Sequence, residues 1–147
     1  MQMAVDSMFL DAARAWRRAR DNHQPVQPAL YRVLDTYHCG ILAPVIDSVL
    51  SIYEACSGRR FHDGGSRPDG LSVDERHLLN LLHQANGCEP ALLDASCDPG
   101  LASTMRVALR STWIMLRLAL DSAAPSQRCG AMPAVRVVTN DGLGLRG

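Results

Sequence analysis

The chain has 147 residues, 47% hydrophobic and 20% charged, a balance that suits one globular domain able to bury a real core and leaves little room for two. Its formal net charge is zero, which excludes a global attraction to nucleic acid or anionic lipid and leaves only local patches for such contacts. Five Cys, at 39, 56, 88, 97 and 129, are odd in number and share no repeated short spacing, which argues against a disulfide framework and for reduced, mostly buried thiols.

Residues 5–20 place Val5, Met8, Phe9, Ala12, Trp16 and Ala19 at helical spacing, with Asp11, Arg14, Arg17, Arg18 and Asp21 on the other side, and predict an amphipathic first helix. The run NHQPVQP breaks it, because each Pro disfavours helix in its predecessor. Pro28 opens a second, shorter helix with Leu30, Val33, Leu34, Tyr37 and Ile41 along one stripe, ended or bent by Gly40. Pro44 suits the first turn of a third helix that runs to about Cys56 and stops at Gly58. Its apolar face is Val45, Ile46, Val49, Leu50, Ile52 and Tyr53, and Asp47 and Glu54 line one edge.

From Arg59 to Gly70 the chain is polar and Gly-rich, the composition of a surface loop. Ser72 and Glu75 spell a capping box for a fourth helix with Leu78, Leu81, Leu82 and Ala85 as its buried stripe and Asn86-Gly87 as its exit. Pro90 to Ser96 is expected to form a short fifth helix. Asp98 and Pro99 then start the most apolar run of the chain, Leu101 to Leu120, read as a buried helix around which the rest packs. Arg106, Arg110 and Arg117 fall within about 40° of one another on it, one cationic stripe on an otherwise apolar cylinder. Such a segment is long enough for a bilayer, but each central Arg would cost roughly 2.5 to 3.5 kcal/mol there, so a core helix and no membrane is the expectation. A partly buried cation needs a partner, and Asp47 or Glu54 is expected to supply it as an ion pair with this stripe.

After Pro125 the pattern fades, and a flexible Gly- and Pro-containing tail over 125–147 is expected to follow a helical domain over 1–124. Gly142, Gly144 and Gly147 spell G-x-G-x-x-G, but no strand-to-helix context surrounds them and the run ends the sequence. His38, Cys39, His62, His77, His83, Cys88 and Cys97 lack the spacing of a zinc site, and no G-x-S-x-G, H-E-x-x-H or C-x-x-C occurs. Read as a helix-turn-helix, Ser72 to Ser96 has a second helix with Asp94 and no basic residue, which weakens DNA recognition; Arg14, Arg17, Arg18 and Arg20 on the first helix are the other basic surface. Absent Lys and abundant Ala match the coding bias of a GC-rich bacterial genome. Asp6 and Asp11 interrupt any signal-like apolar run, so a cytoplasmic protein is expected.

These features predict an all-α bundle of four to five helices around a long central apolar helix. The expected function is that of a non-catalytic helical protein, regulatory or adaptor in kind, that acts through protein contacts or as a homodimer and carries no cofactor. Its candidate contact surface is Arg106, Arg110, Trp113 and Arg117, Trp113 being placed near the Arg stripe with core packing as its competing role. A DNA-binding transcriptional regulator and a small metal-binding domain or enzyme using the His and Cys positions are the alternatives.

Overall fold

The computed structural model describes residues 2–65, 70–87 and 97–123. They form α1 (Gln2–Asp21), α2 (Val26–Asp35), α3 (Ala43–Ser57), α4 (Val73–Gln84) and α5 (Pro99–Ala123), with a 3-10 turn at Gly40–Leu42 leading into α3. No strand occurs among the described residues, and the all-α expectation holds. The expected short helix at 90–96, the second half of the helix-turn-helix reading, Cys88, and the tail with its glycine run lie outside the described residues.

The centre of the bundle is α3 rather than α5. Ala43, Ile46, Val49, Leu50 and Tyr53 are buried, and α3 packs against α1, α2 and α5. The stretch Gly40–Ser57 has the length and mean hydropathy (1.3) of a bilayer span, and the neighbouring helices cover its apolar side. By contrast, α5 buries only Met105, Leu109, Thr112, Trp113 and Leu116, a single stripe laid along α3. Counting apolar residues around α5 overstates its burial, because the exposed guanidinium groups of Arg106, Arg110 and Arg117 hold the adjoining side of the helix in water.

Helix ends follow local chemistry. Ser72 and Glu75 form the expected capping box: the Ser72 hydroxyl accepts from the Glu75 N–H at 2.9 Å, and the Glu75 carboxylate accepts from the Ser72 N–H at 2.8 Å. Asp98 Oδ1 accepts from the Gly100 and Leu101 N–H groups at 2.8 and 3.2 Å, so Asp98-Pro99 starts α5 as expected. Gly58, at φ +62°, closes α3 in the left-handed conformation that a side chain disfavours. The first helix ends at Asp21, directly before the run NHQPVQP expected to break it, whereas α2 stops at Asp35, short of Gly40. Both close in the same two-bond pattern, with His23 (φ 53°) and His38 (φ 57°) left-handed and the next residue's N–H returning to Ala19 and Leu34. Because α2 stops at Asp35, Ile41 leaves the expected stripe and stands 79% exposed.

The segment after α3 is more than a surface loop. Phe61 is fully buried and meets the Tyr53 ring edge-on, centroids 5.9 Å apart, which pins the connection to the core between α3 and α4.

Candidate functional site

At about 100° per residue, the surface of α5 divides into three sectors. Met105, Leu109, Trp113 and Leu116 face inward. Arg106, Arg110 and Arg117 form the rim, all exposed. Beyond the rim, Val107, Ile114 and Leu118 line up one above another, 65%, 49% and 61% exposed. Arg110 and Arg117, with Trp113, Ile114, Leu118 and Asn86 from the exit of α4, line a groove of about 400 Å³.

Three of the expected contact residues, Arg110, Trp113 and Arg117, thus share one groove, and of the two roles weighed for Trp113, contact and core packing, its burial matches core packing. Its ring is buried in the hydrophobic core and lies edge-on to His83, centroids 6.5 Å apart. His83 is itself held by Asp6 on α1, Nε2 to Oδ1 2.8 Å. Trp113 is therefore core and groove floor, and the exposed aliphatic residues are Val107, Ile114 and Leu118, which the sequence reading did not single out. The signal was present: the three recur at seven- and four-residue spacing on the side of the Arg stripe away from Trp113.

The expected pairing of Asp47 or Glu54 with the α5 stripe is corrected. Asp47 accepts from Trp16 Nε1 at 2.7 Å and from Gln27 Nε2 at 2.6 Å. Glu54 accepts from Arg17 at 2.8 Å, lies 3.4 Å from Arg20, and also takes the Phe61 N–H at 2.8 Å. That edge of α3 faces α1, so Glu54 meets Arg17 and Arg20 there and Asp47 meets the Trp16 indole N–H. Arg106, Arg110 and Arg117 have no carboxylate partner within ion-pairing distance among the described residues.

The largest internal polar network was also missed by the sequence reading. Asp74 and Glu75, neighbours in the first turn of α4, are 2% and 0% exposed. Glu75 accepts from Arg14 Nε on α1 at 2.6 Å as well as from its capping partner. A side chain on Gly64 would come within 2.8 Å of Glu75 Oε2, so glycine lets the backbone approach that carboxylate. Asp74 pairs with Arg59, accepts the His62 N–H at 2.8 Å, and takes a longer bond from the Tyr53 hydroxyl, which also lies 3.1 Å from His77 Nδ1. Burial pushes both carboxyls up, but the charged hydrogen bonds from Arg59 and Arg14 and the backbone donors outweigh it and hold both below the ordinary carboxylate range. The network ties α1, α3, α4 and the 59–65 segment together, and no buried side-chain polar atom among the described residues is left without a hydrogen-bond partner.

The remaining candidate groups are scattered. His38 is exposed at the left-handed end of α2, while Cys39 beside it is buried, its thiol donating to the Tyr37 carbonyl at 3.2 Å. No three His, Cys, Asp or Glu side chains among the described residues are placed to share a metal ion. On the basic side of α1, Arg14, Arg17 and Arg20 turn to Glu75, Asp21 and Glu54.

The fold is that of an all-helical bundle with one face of α5 left uncovered by the described residues. No family model matches the chain, and no solved structure matches it. A stretch of 53 residues, 35% of the chain, is 42% identical to one of the subunits of the NADH-quinone oxidoreductase of Anaplasma phagocytophilum (strain HZ). The match covers 13% of that protein's length, a likeness too short to place the chain in its family.

Proposed function

We propose that this chain is a non-catalytic helical protein, cytoplasmic and without a cofactor, that acts by binding another protein through the outward side of α5. One observation carries the reading: three guanidinium groups without carboxylate partners among the described residues lie beside Val107, Ile114 and Leu118, aliphatic side chains about half or more exposed. Charges satisfied by water alone and apolar area left in water are the two things a partner surface relieves at once. An acidic amphipathic helix supplies both, aliphatic anchors for the stripe and Glu or Asp for the rim. A second copy laid symmetrically, α5 on α5, would bring Arg against Arg, so a heterotypic partner suits this face better than a homodimer. Phosphate would satisfy the three Arg equally well, but an aliphatic stripe in place of hydrogen-bonding side chains disfavours nucleic acid here.

The test is calorimetric titration with two synthetic helices that share a Leu stripe, one flanked by Glu and one by Lys, at low and high salt. The Glu peptide is expected to bind with salt-weakened affinity and the Lys peptide not to bind. Equal binding of both, or of neither, contradicts the reading, and a concentration-dependent dimer in light scattering that Leu118→Glu dissociates would replace it with self-association.

A further inference from the structure

On the basic side of α1, Arg14, Arg17 and Arg20 each meet a carboxylate within the fold, whereas Arg18 is exposed and meets none among the described residues. Arg32 on α2 is placed alike: it gives its Nε–H to the Pro28 carbonyl at 3.3 Å and has no carboxylate within ion-pairing distance among the described residues. Because α1 packs against α2, both guanidinium groups line one open cleft of about 630 Å³. Its apolar surface comes from Ala15, which is buried, and Val33, which is half-buried. The connection after α3 brings Asp63 to the same cleft. Phe61 in the core and the His62 N–H on Asp74 hold the backbone before Asp63, and Gly64 against Glu75 holds it after. Asp63 itself is half-buried, with no cation within ion-pairing distance among the described residues. Asp11, also at the cleft, already accepts from the Tyr37 hydroxyl at 2.5 Å. A second cleft, at Arg17, Arg20, Arg59 and Arg60, has no such uncommitted charges, because Asp21, Glu54 and Asp74 pair with its arginines.

We propose that the cleft between α1, α2 and the connection after α3 binds a small zwitterion, a molecule with a carboxylate at one end, an ammonium at the other and a short aliphatic body, such as an amino acid or a dipeptide. Arg18 and Arg32 hold the carboxylate by charged hydrogen bonds, Asp63 takes the ammonium, and the body lies on Ala15 and Val33. A simple anion would set its charge against Asp63 and Asp11, and a simple cation against Arg18 and Arg32, so half of the site opposes either one. A molecule of both signs satisfies the two arginines and Asp63 together. This inference is independent of the α5 contact reading, whose groove is lined from α5 and the exit of α4.

The full chain would be titrated calorimetrically with glycine, γ-aminobutyrate and alanylalanine, zwitterions of increasing charge separation, with the N-acetyl and amide form of each, and with inorganic phosphate. At least one zwitterion is expected to bind with one-to-one stoichiometry, and blocking either of its ends to weaken it about tenfold or more. Arg18→Ala and Arg32→Ala are expected to weaken that zwitterion by a similar factor and to leave its amide form, which has no carboxylate, unaffected. Asp63→Asn is expected to weaken the zwitterion and not its N-acetyl form. None of the three side chains makes an ion pair among the described residues, so the urea midpoints of the variants are expected to match wild type. No binding by any of the zwitterions, equal binding of a zwitterion and its blocked forms, phosphate bound as tightly as the best zwitterion, or a zwitterion indifferent to Arg18→Ala and Arg32→Ala would overturn the proposal.

Discussion

Arg14, Arg17 and Arg59 have the same side chain as Arg106, Arg110 and Arg117 and opposite surroundings. The first three each meet a carboxylate within the fold, and two of those carboxylates, Asp74 and Glu75, are wholly withdrawn from solvent. The α5 arginines meet none among the described residues and border exposed aliphatic side chains. In one region charge serves the fold, because removing a partner leaves a buried ion unpaired. In the other, no carboxylate among the described residues depends on it.

The largest effects should come from the internal side of this comparison. Glu75→Ala deletes the Arg14 pair and half of the capping box, and is expected to cost about 3 to 5 kcal/mol of unfolding free energy in urea titrations. Trp113→Ala is expected to cost a similar amount, about 3 to 5 kcal/mol, as a core indole does; a loss under about 0.5 kcal/mol would return Trp113 to the contact surface.

Acid should expose the same network. Asp74 and Glu75 have folded-state values held below their unfolded ones. Their contribution is therefore complete above the unfolded range near pH 4 and is lost as pH falls through the lower folded values. The thermal midpoint is expected to drop steeply below about pH 4, and the double variant Asp74→Asn, Glu75→Gln to start lower and fall less. An unchanged acid limb in that variant would move the acid-sensitive groups elsewhere.

Smaller effects sharpen the picture. His38→Gly relieves a left-handed residue at the end of α2 and is expected to gain about 1 kcal/mol, a few °C in thermal unfolding. Leu118→Ala, on the exposed stripe, is expected to shift stability by less than about 0.5 kcal/mol in the same urea titrations, which distinguishes it from the buried Leu116 two positions away.

Much of the fold was legible in the sequence because its signals are local. The Ser72/Glu75 box, the Asp98-Pro99 start, the Gly58 stop and the apolar face of α3 each depend on residues a few positions apart. What was missed depends on the three-dimensional neighbourhood. That Glu54 faces Arg17 and not Arg110, that Phe61 turns a polar loop inward, and that Asp74 meets Arg59 are consequences of how helices cross, which periodicity does not encode. The candidate surface was half legible: the Arg stripe follows from the helical wheel. Which side of that stripe holds the core required knowing that α3 lies beneath Trp113's side and nothing described covers Val107, Ile114 and Leu118.

The most direct test of the central claim is the double variant Arg110→Glu, Arg117→Glu, measured in parallel for urea unfolding and for binding of the Glu- and Lys-flanked helices. The account predicts an unfolding free energy within about 1 kcal/mol of wild type, since both side chains are exposed and have no carboxylate partner among the described residues, together with a reversal of preference from the Glu to the Lys peptide. A variant that unfolds, or one that still binds the Glu peptide as wild type does, would show that these arginines serve the fold or nothing at all, and the outward side of α5 would cease to be the contact surface.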